Sequence, residues 1–336
     1  MRTHMSGRLV AAALAVIALP ASLAACGGSD KSSSSTSGAA AATTSTSSGG
    51  GKLIQLDAAN KGKKVKIGSK NFTESIILGY IYGEALKKAG YSVSYDLNLG
   101  NEQVATRALK TKEIDAYPEY TGTALTSLLG VKPKDVPHDE SAAYEQAKRL
   151  YESKYGFTAL PQTPFTDSQA LGMTAATAKK LGNPTKISDL KGKSQNLTIA
   201  GSTECFKRTD CALGFKTVYG LTFKKEIPID VAQRHEVILK GKADLTVPFT
   251  TDGQIAANKE VVLKDDKHLF PPYNVTFVVR DPVFKSAGPD FAKVVANVQT
   301  GLTTPVMSEL NSRVDLDKQQ PLAVAQEYLK ATGYVK

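Results

Sequence analysis

Reactive residues are scarce in this chain. Of 336 residues, three are cysteine and four are histidine. The histidines, His4, His138, His235 and His268, are dispersed. There is no nucleophile elbow, no His-Glu-x-x-His pair and no phosphate-binding glycine loop. An enzyme would need a positioned base or nucleophile that none of these patterns supplies. Cys205 and Cys211 stand six positions apart with no histidine or third cysteine nearby, which argues against a metal site, and no cofactor is expected. Beyond the N-terminal stretch, no segment approaches the ~20 apolar residues needed to span a membrane. Basic residues outnumber acidic ones, 42 to 32, for a formal charge of +10. The lysines are scattered, however, and no nucleic-acid-binding motif accompanies them. The charge reads as solubility and attraction to an anionic envelope.

What is present begins at the N-terminus. Arg2 and Arg8 flank a short charged region, and Leu9 to Leu23 is apolar but interrupted by Pro20 and Ser22. This is the pattern of a secretory signal over residues 1–25. It ends in Leu23-Ala24-Ala25-Cys26-Gly27, which resembles the lipobox of bacterial lipoproteins. That resemblance implies lipidation of Cys26 and an extracytoplasmic protein anchored to the cell membrane. Residues 26–51 are nearly all Ser, Thr, Gly and Ala, a composition that cannot build a core. They are expected to act as a flexible tether with a span of about 25–30 Å. Removing the signal takes Arg2 and Arg8 from the +10, leaving +8. Export also favours a local disulfide between Cys205 and Cys211, with two reduced thiols as the alternative.

The remainder alternates strands and helices. Val65–Gly68 reads as a strand, followed by a helix that Asn71 or Thr73 can cap and Gly90 can end. Ser92–Leu97 is a second strand, Asn101 caps a second helix, and Glu113–Tyr117 is a third strand broken by Pro118. The same order restarts with strands at Leu171–Thr174 and Leu197–Ala200, a helix at Leu213–Tyr219 and a strand at Glu226–Asp230. A helix at Ala232–Lys240 and a strand at Ala243–Val247 complete it. Phe277–Arg280 is a further strand, and helices near 290–300 and 322–332 return to cover the first half. The pattern predicts two α/β lobes with a cleft at the carboxyl ends of strands, where ligands of open sheets bind. Residues 52–166 and 274–336 would form lobe 1, and 167–273 lobe 2 with the hinge.

Four motifs occur in order: Gly68-Ser69-Lys70-Asn71-Phe72-Thr73-Glu74, Tyr117-Pro118-Glu119-Tyr120-Thr121-Gly122-Thr123, Thr250-Thr251-Asp252-Gly253 and Phe270-Pro271-Pro272-Tyr273. From about Lys64 onward the chain resembles the glycine betaine/choline-binding lipoproteins of osmoprotectant ABC transporters. The resemblance implies a two-lobed periplasmic-binding-protein fold (type II, Venus-flytrap) with two hinge crossings. It also implies a monomer that hands a quaternary-ammonium solute to an ABC permease. Such a cation has no N–H to donate, so aromatic faces must hold it. A carboxylate end would need donors. Carried over by motif, Tyr120 and Tyr273 would wall the cage. Thr123, Lys70 and Arg208 would hold a carboxylate, and Phe249 stands where the family usually has tyrosine. Gln169 replaces an aromatic wall, and Asp167 can supply negative charge near the cationic head. Glycine betaine, choline, carnitine or an amino-acid betaine all fit.

Each residue also has a plainer reading. Arg208 could pair with Asp210 on a surface loop, and Thr123 could cap a helix over 124–129. Asp252 reads as a turn or cap residue, and His235 as lying on the solvated face of its helix. Glu74 and Asp167 need not meet. Rival functions are the same fold binding a different polar zwitterion, a periplasmic enzyme, or a sensor domain serving a receptor.

Overall fold

A computed structural model describes residues 52–336. The signal over 1–25, the lipidation site Cys26 and the tether to residue 51 lie outside the described residues. The strands are β1 (Lys64–Gly68), β2 (Ser92–Asp96), β3 (Ala116–Tyr120), β4 (Phe157–Ala159), β5 (Leu171–Met173), β6 (Thr198–Ser202), β7 (Lys225–Ile229), β8 (Leu245–Thr246), β9 (Val261–Leu263) and β10 (Val275–Arg280). They form two five-stranded sheets, ordered β2-β1-β3-β10-β4 and β7-β6-β8-β5-β9. The β2-β1-β3 and β7-β6-β8 triplets are parallel, whereas β10, β4, β5 and β9 pair antiparallel. The chain leaves the first sheet after β4 and re-enters it at β10. The two passages meet where Thr166 bridges Asn274. The fold is two-lobed α/β.

Each lobe has its own apolar core. In the first, the helix Thr73–Lys88 buries Ile77, Leu78, Ile81 and Leu86 completely. Their i, i+1, i+4 spacing makes a stripe that packs with Val324 and Leu329 of helix Pro321–Ala331 and Phe291 and Val295 of helix Pro289–Gln299. Burying each such side chain contributes about 1.5–3 kcal/mol. The second lobe gathers Leu171, Ile199, Phe215, Leu245 and Leu263.

Several local expectations change. Neither Asn71 nor Thr73 caps the first helix; Phe72 holds the cap position with no side-chain hydrogen bond. Thr73 Oγ1 is drawn off to Asp315 at 2.5 Å, and Ser75 accepts from the Lys70 N–H. Pro118 does not end the third strand but lies in its middle. It stands opposite Phe277, whose carbonyl accepts from Leu160 on the far side, so this pair exchanges no ladder bonds. Its missing N–H faces the side where β1 has already stopped pairing, at Ala116. The helix expected over 232–240 is split into a 3₁₀ turn, Val231–Gln233, and one α turn, Glu236–Leu239. The break falls at Arg234 and His235, which turn inward. His235 is 4% exposed, not solvated. Thr123 caps nothing, because helical structure already begins at Thr121 and continues as a π turn, Ala124–Leu128.

Candidate functional site

A cavity of about 540 Å³ opens between the two sheets. Its walls come from the carboxyl ends of β1, β3, β6, β7 and β8 and from the two passages of chain between the sheets. All eight residues singled out from sequence line it: Lys70, Tyr120, Thr123, Asp167, Gln169, Arg208, Phe249 and Tyr273. The rings follow from chain geometry. Tyr120 ends β3, Phe249 follows β8, and Tyr273 immediately precedes the Thr166–Asn274 bridge. Phe72, which sequence reasoning passed over, joins them: its ring centroid is 5.7 Å from Tyr120 and 5.4 Å from Phe249. Gly122 permits this packing. A Cβ there would meet the Pro272 carbonyl at 2.7 Å and the Tyr273 ring at 2.8 Å.

The basic groups are already matched. Lys70, 5% exposed, donates to Glu119 at 2.6 Å and sits 4.2 Å from the Tyr120 ring centroid. Arg208 grips Asp210 with Nε at 2.8 Å and Nη2 at 2.6 Å. It also reaches across to the other lobe, to Glu102 and to the Thr123 hydroxyl, each at 3.4 Å. Burial alone would raise Asp210, but the Arg208 charge and hydrogen bonds hold its carboxyl below the usual range. Arg208 therefore does pair with Asp210, yet beneath the cleft wall and not on the surface; Asp210 is 2% exposed. The loop carrying both is closed by a disulfide between Cys205 and Cys211. Tyr273 donates to Asp210 at 2.6 Å and accepts from the Gln169 amide at 3.0 Å. Gln169 thus fixes the ring of Tyr273 through its hydroxyl.

Glu74 and Asp167 do meet, through one hydroxyl. Thr251 Oγ1 lies 2.6 Å from Glu74 Oε2 and 2.8 Å from Asp167 Oδ1. Glu74 also accepts from Tyr120 at 2.8 Å and from Asn311 at 3.0 Å. Burial pushes both carboxyls up, Asp167 well above the usual carboxylate range.

Comparison with known proteins settles the family. Residues 63–331 match the substrate binding domain of ABC-type glycine betaine transport systems. The chain belongs to that family. A glycine-betaine-binding protein of Pseudomonas aeruginosa is 33% identical over 281 residues, spanning 80% of this chain and 88% of that protein. The carnitine transport binding protein OpuCC of Listeria monocytogenes is 28% identical over 273 residues, 80% and 87% of the two chains. The crystal structure of a glycine betaine/carnitine/choline ABC transporter matches with a TM-score of 0.65 and 28% identity, over 80% of this chain and 99% of that one. The family is one of substrate-binding proteins, not enzymes.

Behind the ring of Phe249, this substrate-binding domain carries a second buried ion cluster. Arg234 holds Asp252 through both carboxylate oxygens, Nε to Oδ2 at 2.6 Å, and its guanidinium lies 4.7 Å from the Phe249 ring centroid. Asp252 Oδ2 also accepts the Phe249 N–H at 2.8 Å. His235 stands between two carboxylates, Nδ1 at 2.9 Å from Glu260 and Nε2 at 2.9 Å from Asp252. Only an imidazolium donates from both nitrogens. Burial would lower His235, but these hydrogen bonds outweigh it and its pKa is raised. Asp252, expected as a turn residue, is thus the centre of an ion cluster that positions Phe249. Among the residues missed, Phe72 had a signal, since it lies inside the first quoted motif. Arg234 and Glu102 had none, because only the fold brings them to the loop and the cleft.

Proposed function

We propose that the cleft captures a quaternary-ammonium solute in a cage of Phe72, Tyr120, Phe249 and Tyr273 and delivers it to an ABC permease. A lipid on Cys26 holds the protein at the outer face of the cell membrane. The observation that carries the ligand reading is the ring array. Phe72 bridges Tyr120 and Phe249 at 5.7 and 5.4 Å, giving aromatic faces to a cation that has no N–H to donate. Charge supports it. Even without Asp167, the lining has three carboxyl groups, Glu102, Glu204 and Asp230, against Lys70 and Arg208, in a protein whose mature charge is +8. An acid-lined cleft concentrates cations. Since Lys70 and Arg208 already face Glu119 and Asp210, a ligand carboxylate must compete for them. We therefore infer that a net cation such as choline is favoured over zwitterions such as glycine betaine or carnitine. Capture works by population shift: ligand bridging both lobes favours the closed state by its differential affinity. The chain turns at the Thr166–Asn274 bridge as a hinge, between lobe 1 (52–166 and 274–336) and lobe 2 (167–273).

Titration calorimetry with choline, glycine betaine and carnitine tests this. Choline is expected to bind most tightly, and Phe72→Leu to weaken it about tenfold, the loss of one cation–π face. If none of the three binds below millimolar concentration, the ligand class is wrong; if Phe72→Leu leaves affinity unchanged, the cage is misplaced. Cys26→Ser is expected to release the protein from the membrane fraction, and continued retention would remove the anchor.

A further inference from the structure

The contact between Glu74, Thr251 and Asp167 contains more acceptors than protons. A hydroxyl has one hydrogen. Thr251 Oγ1 can therefore donate to Glu74 at 2.6 Å or to Asp167 at 2.8 Å, but not to both. If both carboxyls were ionised, one of these short contacts would be oxygen against oxygen with nothing between. Both groups are buried, Glu74 at 2% and Asp167 at 5% exposure. The conflict disappears if one carboxyl keeps its proton and donates to the Thr251 oxygen.

Which one keeps it follows from the donors. Glu74 is supplied by Tyr120, Asn311 and the Thr251 hydroxyl, three donors that suit an ionised carboxylate. Asp167 has only the Thr251 N–H at 3.2 Å. Its Oδ2 accepts no hydrogen bond from any described residue, and the side chain lines the cavity with the aromatic rings. The groups around it do not neutralise it. Glu74 from helix Thr73–Lys88 and Asp252 from the loop after β8 both push its carboxyl up, after burial itself. Tyr120 faces it from β3 and stays protonated. Arg234 interacts with Asp167 through its charge but is bound to Asp252. Lys70, over the Tyr120 ring, is bound to Glu119.

We propose that Asp167 carries a proton in the free protein and that a cationic ligand displaces it, so that uptake is an exchange of one cation for one proton. This rests on the quaternary-ammonium reading. The Asp167 O–H bond breaks as the ligand's positive head settles beside the carboxyl. The proton passes to solvent, and with it goes the hydrogen bond from Asp167 to the Thr251 oxygen, so that contact loosens. Asp167 keeps the Thr251 N–H, and the ligand's positive charge takes the place of the lost proton. No other covalent bond changes. Asp167 thereby selects for positive charge, because a neutral isostere of the ligand would leave the proton in place.

Two readouts test this on the full chain. In the first, choline is titrated calorimetrically at neutral pH in buffers of different ionisation enthalpy, and the slope gives the protons exchanged. Close to one proton released per choline is expected, with affinity rising about tenfold per pH unit in that range. Asp167→Asn and Glu74→Gln should each bring the number near zero; in the second, Thr251 is free to donate to an ionised Asp167. A wild-type slope of zero with measurable binding overturns the proposal, as does an unchanged slope in both variants. The second readout needs no ligand. The infrared carbonyl band of a protonated carboxylic acid, assigned by labelled aspartate, should be present in the free protein at neutral pH. It should be absent in Asp167→Asn and, should that variant not fold, in Glu74→Gln. Absence of the band in the wild type overturns the proposal even if choline binds. Failure of choline to bind, with the band present, overturns the ligand reading and leaves the proton on Asp167.

Discussion

The loop from Phe249 to Asp252 touches two buried acidic clusters that are opposites. At one end Asp252 and Glu260 face Arg234 and His235, two carboxylates with two cations in hydrogen-bond contact. At the other, Glu74 and Asp167 face each other across Thr251, and none of their hydrogen-bond partners is a cation. Burial is similar, with Asp252 and Asp167 both 5% exposed. The outcome is not. Burial tends to raise Asp252, but the Arg234 charge overrides it and holds the carboxyl low, while Asp167 is driven well above its usual range. Burial therefore does not decide the charge state; the nearest partner does. The balanced cluster makes a fixed wall for Phe249. The unbalanced one leaves a deficit of positive charge at the cleft, which a cationic solute can fill.

The largest effect that could break this comparison comes from the balanced side. Arg234→Met should destabilise the protein by about 3–5 kcal/mol, since it leaves Asp252 buried with only His235. Urea or thermal denaturation reads this directly. A loss below about 1 kcal/mol, the value of an exposed pair, would mean that the cluster is no more than surface charge folded inward.

That cluster was also where sequence reasoning failed. The strand and helix order was legible because hydrophobic periodicity, Asn101 and Gly90 report local structure. The cleft residues were legible through motifs that lie at strand ends. Arg234 and His235 were not. A polar, charged run such as Ala232–Lys240 looks like a solvated helix face, and its true partners, Asp252 and Glu260, lie 18 and 25 positions along the chain. Pro118 misled for a related reason. Proline ends a strand only where its missing N–H is needed, and that depends on where β1 stops pairing. Phe72 was hidden by the opposite fault: its motif was visible, but which of its side chains turns into the cleft is a tertiary fact.

The smallest effect sharpens the comparison from within the cleft. Glu102 begins helix Glu102–Lys110 on the first lobe and stands 3.4 Å from Arg208 of the second. It is 7% exposed and faces the same cavity as the rings. Removing its charge should act on ligands by their charge alone. Glu102→Gln keeps the size and leaves the Asn101 cap intact, costing the helix a few tenths of a kcal/mol at its first turn. It also frees one edge of Arg208 from an acidic competitor. A zwitterion gains a better carboxylate partner, whereas a simple cation loses part of the attractive field. The ratio of choline to glycine betaine affinity should therefore fall about three- to tenfold, under ~1.4 kcal/mol, with the folding midpoint nearly unchanged. Competition calorimetry with both ligands gives the ratio. If it rises or stays constant, Glu102 does not read the ligand's charge, and selection rests on the other lining carboxyls and the shape of the ring array.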